Sequence, residues 1–137
     1  MQDVISYIIT NKNKIAEDAV IWMSTNYPDR TSTPEKCKRD INYVLDAYVT
    51  DINSNTSVQI INIGNNFWKN GVRQVIRYKI EIKVHKYIVN KIKENVSKES
   101  GDKLQSLLEI FCSILIGGPI ESKSTVEEVI KKYQYTR

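Results

Sequence analysis

The segment from Thr33 to Gly71 constrains the fold most, because it contains the best-defined helix signal in the chain. Thr33 is a favourable N-cap, Pro34 suits the first helical position, and Glu35 adds a negative charge to the first turn. Apolar residues then recur in steps of three, four and seven, which define one face of a helix. They are Cys37, Ile41, Val44, Leu45, Tyr48 and Ile52. We therefore predict a helix that begins at Pro34 and ends in the polar run 53–55.

The composition indicates a single helical domain. The chain has 137 residues, of which 41% are hydrophobic and 26% charged, and only 3 Pro and 5 Gly interrupt it. A chain of this length buries roughly two-thirds of its unfolded surface, which is enough for a core without disulfides or metals. We predict one all-α domain over residues 1–137, a bundle of about five or six helices with a frayed tail at 134–137.

Hydrophobic periodicity predicts further helices on either side of this segment. Residues 2–27 indicate a first helix, interrupted near 11–13, and residues 56–68 indicate a third. In the third helix we expect Val58, Ile61 and either Phe67 or Trp68 to face inward, and Gly64 to allow a close helix contact. An apolar helix near 104–116 is expected at the centre of the core, and a short last helix is expected to begin at a capping box of Ser124 and Glu127. The expected breaks are Asn70-Gly71, Ser100-Gly101-Asp102 and Gly117-Gly118-Pro119.

Residues 72–96 fit two patterns. Seven apolar residues at four-residue spacing favour a long helix, whereas the alternation over 78–85 is typical of a strand. Because the helical row is longer, we predict a helix. This helix is basic, since residues 71–98 carry eight Lys or Arg and two Glu, an excess above the net charge of +4 for the whole chain.

Residue types that carry catalysis are sparse. The single histidine, His85, lies among cations and is predicted at the surface, and it leaves a His-based metal site or nucleophile without a second partner. Asp40 and Asp51 share a helix face and can form an acid–base pair, but such carboxylates more often cap helices or bridge to neighbours such as Arg39 and Lys36. No phosphate-binding glycine motif occurs. We expect no enzyme, no metal site and no cofactor.

The two cysteines and the apolar runs bear on the compartment. Cys37 and Cys112 lie on the apolar faces of two predicted helices, which indicates buried free thiols. The N-terminal residues lack the pattern of a secretory signal, and the longest apolar run, 110–116, is too short to span a bilayer. We expect a soluble protein made in a cytoplasm, without a membrane partner.

The run from Cys37 to Asp51, CKRDINYVLDAYVTD, is similar to a module found in large structural proteins of contractile-tailed phages, notably marine cyanophages. That module reads roughly C-x-R-D-[IV]-G-Y-[IV]-[IV]-D-A-[LV]-x-x-D-[IL] and is followed, after a helical gap, by an aromatic pair before an Asn-Gly-like turn. The segment 67–71, FWKNG, matches this later part. The resemblance therefore covers residues within 33–71, about a quarter of the chain.

The resemblance implies a helical virion protein of the tail, baseplate or neck region, made in the host cytoplasm, without catalysis or cofactor. Other virion proteins are the implied partners, and a homo-oligomer is expected because such proteins commonly form rings. Arg39 and Asp46, seven residues apart on one helix, can share a polar network through Tyr43 or a neighbouring helix. The motif residues expected to be structural are Cys37, Arg39, Asp40, Tyr43, Asp46, Asp51, Phe67 and Trp68.

The alternative function is that of a basic helical accessory protein of a phage that binds DNA. A cationic helix binds the nucleic-acid backbone through phosphate contacts. The opposing interpretation is a solvated helix face, which the spread of the cations around the helix favours. The candidate nucleic-acid contacts are Arg73, Arg77, Lys79, Lys83, Lys86 and Lys91.

Overall fold

A computed structural model describes residues 1–28, 33–72 and 75–121, with the side chains of 71–78 excepted. These residues are almost entirely helical, as predicted for an all-α bundle. The α-helices are α1 (Gln2–Asn26), α2 (Pro34–Ser54), α3 (Val58–Phe67), α4 (Val75–Lys93) and α5 (Lys98–Gly117). The predicted last helix at Ser124 and the tail 134–137 lie outside the described residues. No helix of the described chain is both long enough and apolar enough to cross a membrane.

Helix α5 forms the centre of the core and contacts each of the other four helices. Its sequence is apolar on most sides, and residues 110–115 are all buried. The central position predicted from the sequence is confirmed. Helix α1 packs mainly on α2 and α4, and α3 fits between α2 and α5.

Helix α1 is continuous, so the predicted interruption near 11–13 is wrong. The side-chain amide of Asn11 donates to the carbonyl of Tyr7 at 2.9 Å, one turn back. Asparagine is thereby accommodated inside the helix instead of ending it. Ile8 of this helix is buried, whereas the neighbouring Ile9 is 62% exposed.

Helix α2 begins as predicted. The Thr33 hydroxyl accepts a hydrogen bond from the Lys36 backbone N–H at 3.1 Å, and Pro34 occupies the first turn. At the other end Asn55 adopts the left-handed conformation with φ of 52°, which asparagine tolerates better than most residues. Local capping chemistry therefore fixes both ends of the helix.

Helix α3 is shorter than predicted and faces the core differently. Ile60 and Ile61 are buried, but Val58 is 38% exposed because it begins the helix. Gly64 lies against α5, where an added Cβ would be 2.8 Å from Ile114 Cδ1. The predicted close contact is confirmed. At 70–71 the chain does not reverse as expected: Trp68 keeps right-handed helical dihedrals, and a π-helical turn, Trp68–Val72, follows.

Helix α4 confirms the helical interpretation of the ambiguous segment, with tighter bounds. Val84, Ile88 and Ile92, from the row at four-residue spacing, are buried along one side. Val96 lies beyond the C-terminal end, in the connection to α5.

The predicted break at Ser100-Gly101-Asp102 is wrong, because these residues form the first turns of α5. The Ser97 hydroxyl caps the helix by accepting from the Ser100 backbone N–H at 3.2 Å. Asp3 of α1 adds a second cap: its carboxylate accepts from the Ser97 backbone N–H at 2.7 Å and from the Ser100 hydroxyl. Gly101 is buried because the stem of Lys93 packs over it.

The Asp3 cap makes stability dependent on pH. The hydrogen bond from Ser100, followed by that from the Ser97 backbone, lowers the pKa of Asp3 below its usual range. Because the folded-state pKa is depressed, the stabilisation is complete above the unfolded value of about 3.9 and is lost as the pH falls through the folded value. We expect the melting temperature of wild type to exceed that of Asp3→Asn at neutral pH, and this difference in melting temperature to shrink below a pH of about 4. Melting curves recorded at a series of pH values measure it. A pH-independent difference would contradict the cap.

The C-terminal end of α5 was predicted correctly. Gly118 follows the last helical residue with φ of +97°, a conformation that favours glycine. Cys37 and Cys112 are both buried, as predicted, and the two form no disulfide. Burial raises the pKa of the Cys112 thiol to about 12, so this thiol is protonated and unreactive at neutral pH.

Tyr48 of α2 is fully buried, yet its hydroxyl has no hydrogen-bond partner. Burial also raises the pKa of this hydroxyl above its usual value. A buried polar group without a partner costs about 1–3 kcal/mol relative to water. Replacing Tyr48 by phenylalanine keeps the ring and removes the hydroxyl, so we expect the free energy of unfolding to rise by about 1 kcal/mol in urea denaturation. A clear loss of stability would show that the hydroxyl is hydrogen-bonded in solution.

Candidate interaction surface

The residues of the CxRDxxYxxDAxxxD run divide between two sides of α2. Cys37 is 6% exposed and Asp51 is fully buried. Arg39, Tyr43 and Asp46 are exposed on the opposite side. The fold therefore accounts for one half of the run and leaves the other half at the surface.

Asp51 caps α3 from inside the core. One carboxylate oxygen, Oδ1, accepts from the Thr56 hydroxyl at 3.0 Å and from the Gln59 backbone N–H at 3.1 Å. The other, Oδ2, accepts from the Ile60 backbone N–H at 2.8 Å. A negative charge at a helix N-terminus is also favoured by the helix dipole. The carboxylate is thus committed to joining α2 to α3.

Asp40 lies elsewhere and does not pair with Asp51. Eleven residues separate the two on one helix, a rise of roughly 16 Å, which is too far for a shared proton. Partial burial, and then the charge of Glu81, raise the pKa of Asp40, and His85 opposes this shift. Asp40 therefore faces the α4 side of the bundle rather than the α3 cap.

His85 is 2% exposed, so its predicted surface position is wrong. Its Nε2 lies 3.5 Å from Glu81, one turn earlier, and its Nδ1 has no hydrogen-bond partner. The ring packs edge-on against Phe111, with the centroids 4.7 Å apart. Neighbouring cations suggested exposure, but the burying ring belongs to α5 and leaves no local signal in the sequence.

The aromatic pair at the end of α3 packs within the bundle. Phe67 meets Phe111 edge-on at 5.5 Å between centroids. Trp68 packs onto the core cluster and lies beside Gly118, where an added Cβ would be 3.6 Å from the indole. Both residues connect the end of α3 to α5.

The outer α2 face is a shallow groove on the exposed side of the helix. Tyr43, which is 59% exposed, lies at its middle, with Arg39 one turn before it and Asp46 nearly one turn after it. The predicted network between Arg39 and Asp46 is absent from the described residues. Asp46 instead pairs with Lys12 of α1 at 2.6 Å. The residues that line the groove are Glu35, Lys38, Arg39, Asn42, Tyr43 and Asp46.

The sequence suggested that the cations of α4 are spread around the helix, but three of them lie together on one side. Lys79, Lys83 and Lys86 are all exposed, and their spacing of four and three places them on one strip of the helix. Lys91 lies on another side, with its ammonium 5.7 Å from the ring centroid of Tyr87. Arg73 and the side chain of Arg77 lie outside the described part.

Metal ligands do not cluster in the described chain: no three His, Cys, Asp or Glu side chains lie close enough to hold an ion. The chain matches no protein-family model, no curated protein sequence and no solved structure at a significant level.

Proposed function

We propose that the chain is a structural or assembly protein of a tailed-phage particle, in its tail, baseplate or neck region. It acts through protein–protein contacts with other virion proteins, in which the outer α2 face takes part, and the proposal includes no catalytic step. The resemblance of residues 37–51 and 67–71 to a module of phage structural proteins supports the assignment of the chain to a phage particle. The exposure of Tyr43 at the middle of the outer α2 face carries the choice of surface.

The fold explains the buried residues of the run, and it leaves Arg39 and Tyr43 at the surface. Cys37 and Asp51 hold α2 in the bundle, so the fold explains their place in the run. Tyr43 is 59% exposed and Arg39 is exposed beside it, where its charge acts on its chain neighbour Asp40. Tyrosine and arginine are enriched at protein interfaces and in their energetically dominant positions. The exposed half of the run therefore supports a role in binding a partner.

The test is incorporation into particles. A phage lacking the gene is supplied in trans with wild type, Tyr43→Ala, Arg39→Ala or the control Ile21→Ala, which removes an equally exposed apolar side chain from α1. The free energy of unfolding of each variant should lie within about 0.5 kcal/mol of the wild-type value, because each change is at the surface. We expect Tyr43→Ala and Arg39→Ala to be depleted from purified particles and Ile21→Ala to be present at the wild-type level. Equal incorporation of all four proteins would contradict the proposal.

A DNA-binding accessory protein is the second candidate, and the strip of Lys79, Lys83 and Lys86 favours it. Three phosphate contacts predict a slope of about −2.7 for log K against log salt concentration on duplex DNA. Lys83→Ala should reduce this slope by about 0.9, and Lys91→Ala, on another side of α4, should leave it unchanged. Absence of binding at low salt would remove this candidate. An adaptor between head and tail would combine both functions.

A further inference from the structure

Four charged residues line the outer α2 face, Glu35, Lys38, Arg39 and Asp46, and Lys38 already pairs with Glu17 of α1 at 3.2 Å. Arg39 and Asp46 are seven residues apart, two turns along the helix. Between them lie Asn42 and the exposed ring of Tyr43. The face therefore has a cation on one side of its centre and an anion at the matching distance on the other side.

We propose that the outer α2 face binds the same face of a second copy of this chain, with the two helices antiparallel and related by a two-fold axis. The axis passes between Asn42 and Tyr43, so that Arg39 faces Asp46 of the partner subunit, and Asp46 faces Arg39 of the partner subunit. This pairing rests on the proposed function, since it assigns a partner to the surface inferred there.

The charges disfavour a parallel pair and a shift toward the N-terminus. In an antiparallel pair centred at 42–43, position 35 faces position 50, so Glu35 meets the uncharged Thr50 of the partner subunit. A shift of about one turn toward the N-terminus places Glu35 opposite Asp46 of the partner subunit, which brings like charges together. A parallel pair places Arg39 opposite its own copy. Like charges across an interface are strongly unfavourable, so both alternatives are disfavoured.

The central pair is well suited to a two-fold contact. Two copies of Tyr43 meet near the axis, each beside Asn42 of the partner subunit, and each ring has most of its surface available. Two-fold interfaces are self-complementary, so each favourable contact occurs twice. The face runs from Glu35 to Asp46, about 12 residues or roughly 18 Å of helix, which corresponds to a small, concentration-dependent interface.

The Lys12–Asp46 pair is compatible with this arrangement. Lys12 contacts Asp46 Oδ1 at 2.6 Å, while 61% of the Asp46 side chain remains exposed. The lysine belongs to α1, and the exposed part of the carboxylate leaves room for a second cation. A carboxylate accepts several hydrogen bonds at once.

The experiment is a charge exchange followed by sedimentation over a range of micromolar to millimolar protein. We expect wild type to form dimers, and the single reversals Arg39→Glu and Asp46→Arg to weaken dimerisation on the order of a hundredfold. The double variant has opposite charges at facing positions again and should recover dimerisation. Lys12→Ala removes the cation that pairs with Asp46 within the chain and changes none of the residues proposed to face the partner, so it should dimerise at least as tightly as wild type. Melting curves confirm that each variant is folded.

Three results would overturn the pairing: a monomer at every concentration, single reversals that dimerise like wild type, or a double variant that remains as weak as the single ones. The proposed function is tested separately by the presence of the chain in particles. A monomeric chain that is incorporated into particles overturns the pairing alone. A chain that dimerises in the predicted way and is absent from particles overturns the proposed function alone.

Discussion

Replacing Asp51 by alanine is expected to lower the free energy of unfolding by about 3 kcal/mol, because two backbone N–H groups and one hydroxyl lose a charged acceptor. Loss of an ordinary N-cap costs typically about 1 kcal/mol. The effect here is larger because Asp51 is fully buried and the Ile60 N–H lies in the core, where water cannot replace the acceptor. Urea denaturation measures the difference.

Two variants make this prediction specific. Asp51→Asn keeps one acceptor oxygen and loses the charge, so it should fall between wild type and Asp51→Ala. Asp18→Ala removes an exposed carboxylate from α1 and should change stability by less than about 0.5 kcal/mol. If Asp51→Ala were as stable as Asp18→Ala, the cap would not join α2 to α3 in solution.

Gly64→Val is the other change with a large expected effect, a loss of about 2–3 kcal/mol. A Cβ at this position would lie 2.8 Å from Ile114 Cδ1 and 3.3 Å from Ile114 Cβ. Ile114 is fully buried in α5, so its side chain has little space to move. The two methyl groups that valine carries beyond its Cβ force α3 and α5 apart, and this separation exposes apolar surface.

The contact with Ile114 can be isolated by a double-mutant cycle. Ile114→Val removes Cδ1, the atom nearest to the added Cβ. We expect Gly64→Ala to be less harmful in the Ile114→Val background than in wild type. Gly101→Ala is the matched glycine control, because its new Cβ would meet the flexible stem of Lys93 at 3.3 Å, and it should be nearly neutral. Strict additivity of Gly64→Ala and Ile114→Val would contradict the close contact.

Caps and long helical periods were predicted well from the sequence, whereas the local break signals at 11–13, 70–71 and 100–102 were not. The Thr33 cap, the apolar face of α2, the glycine stop after α5 and the small residue at Gly64 all depend on local chemistry or on a helical period. The prediction of a helix for 72–96, made in spite of the strand-like alternation over 78–85, was correct over Val75–Lys93. Three described residues of the apolar row at four-residue spacing are buried together in the core.

Features that depend on distant residues were not predictable in this way. The burial of His85 requires Phe111 from another helix, and the start of α5 requires Asp3, more than 90 residues earlier. Asp51 is an intermediate case: capping was foreseen as a general role, but the capped helix was not identified. An aspartate seven residues before the start of an apolar helical run is the signal that could have indicated it. The exposed half of the motif, with Tyr43, became visible only once the buried half had been placed.

The most direct test of the central proposal is quantitative mass spectrometry of phage particles purified from the source organism. The tryptic peptide from Asp40 to Lys69 contains no internal Lys or Arg, so it can report the copy number of the chain. The proposal predicts a fixed copy number of this peptide in every particle preparation. Absence of the peptide from particles, while it is present in infected cells, would contradict it.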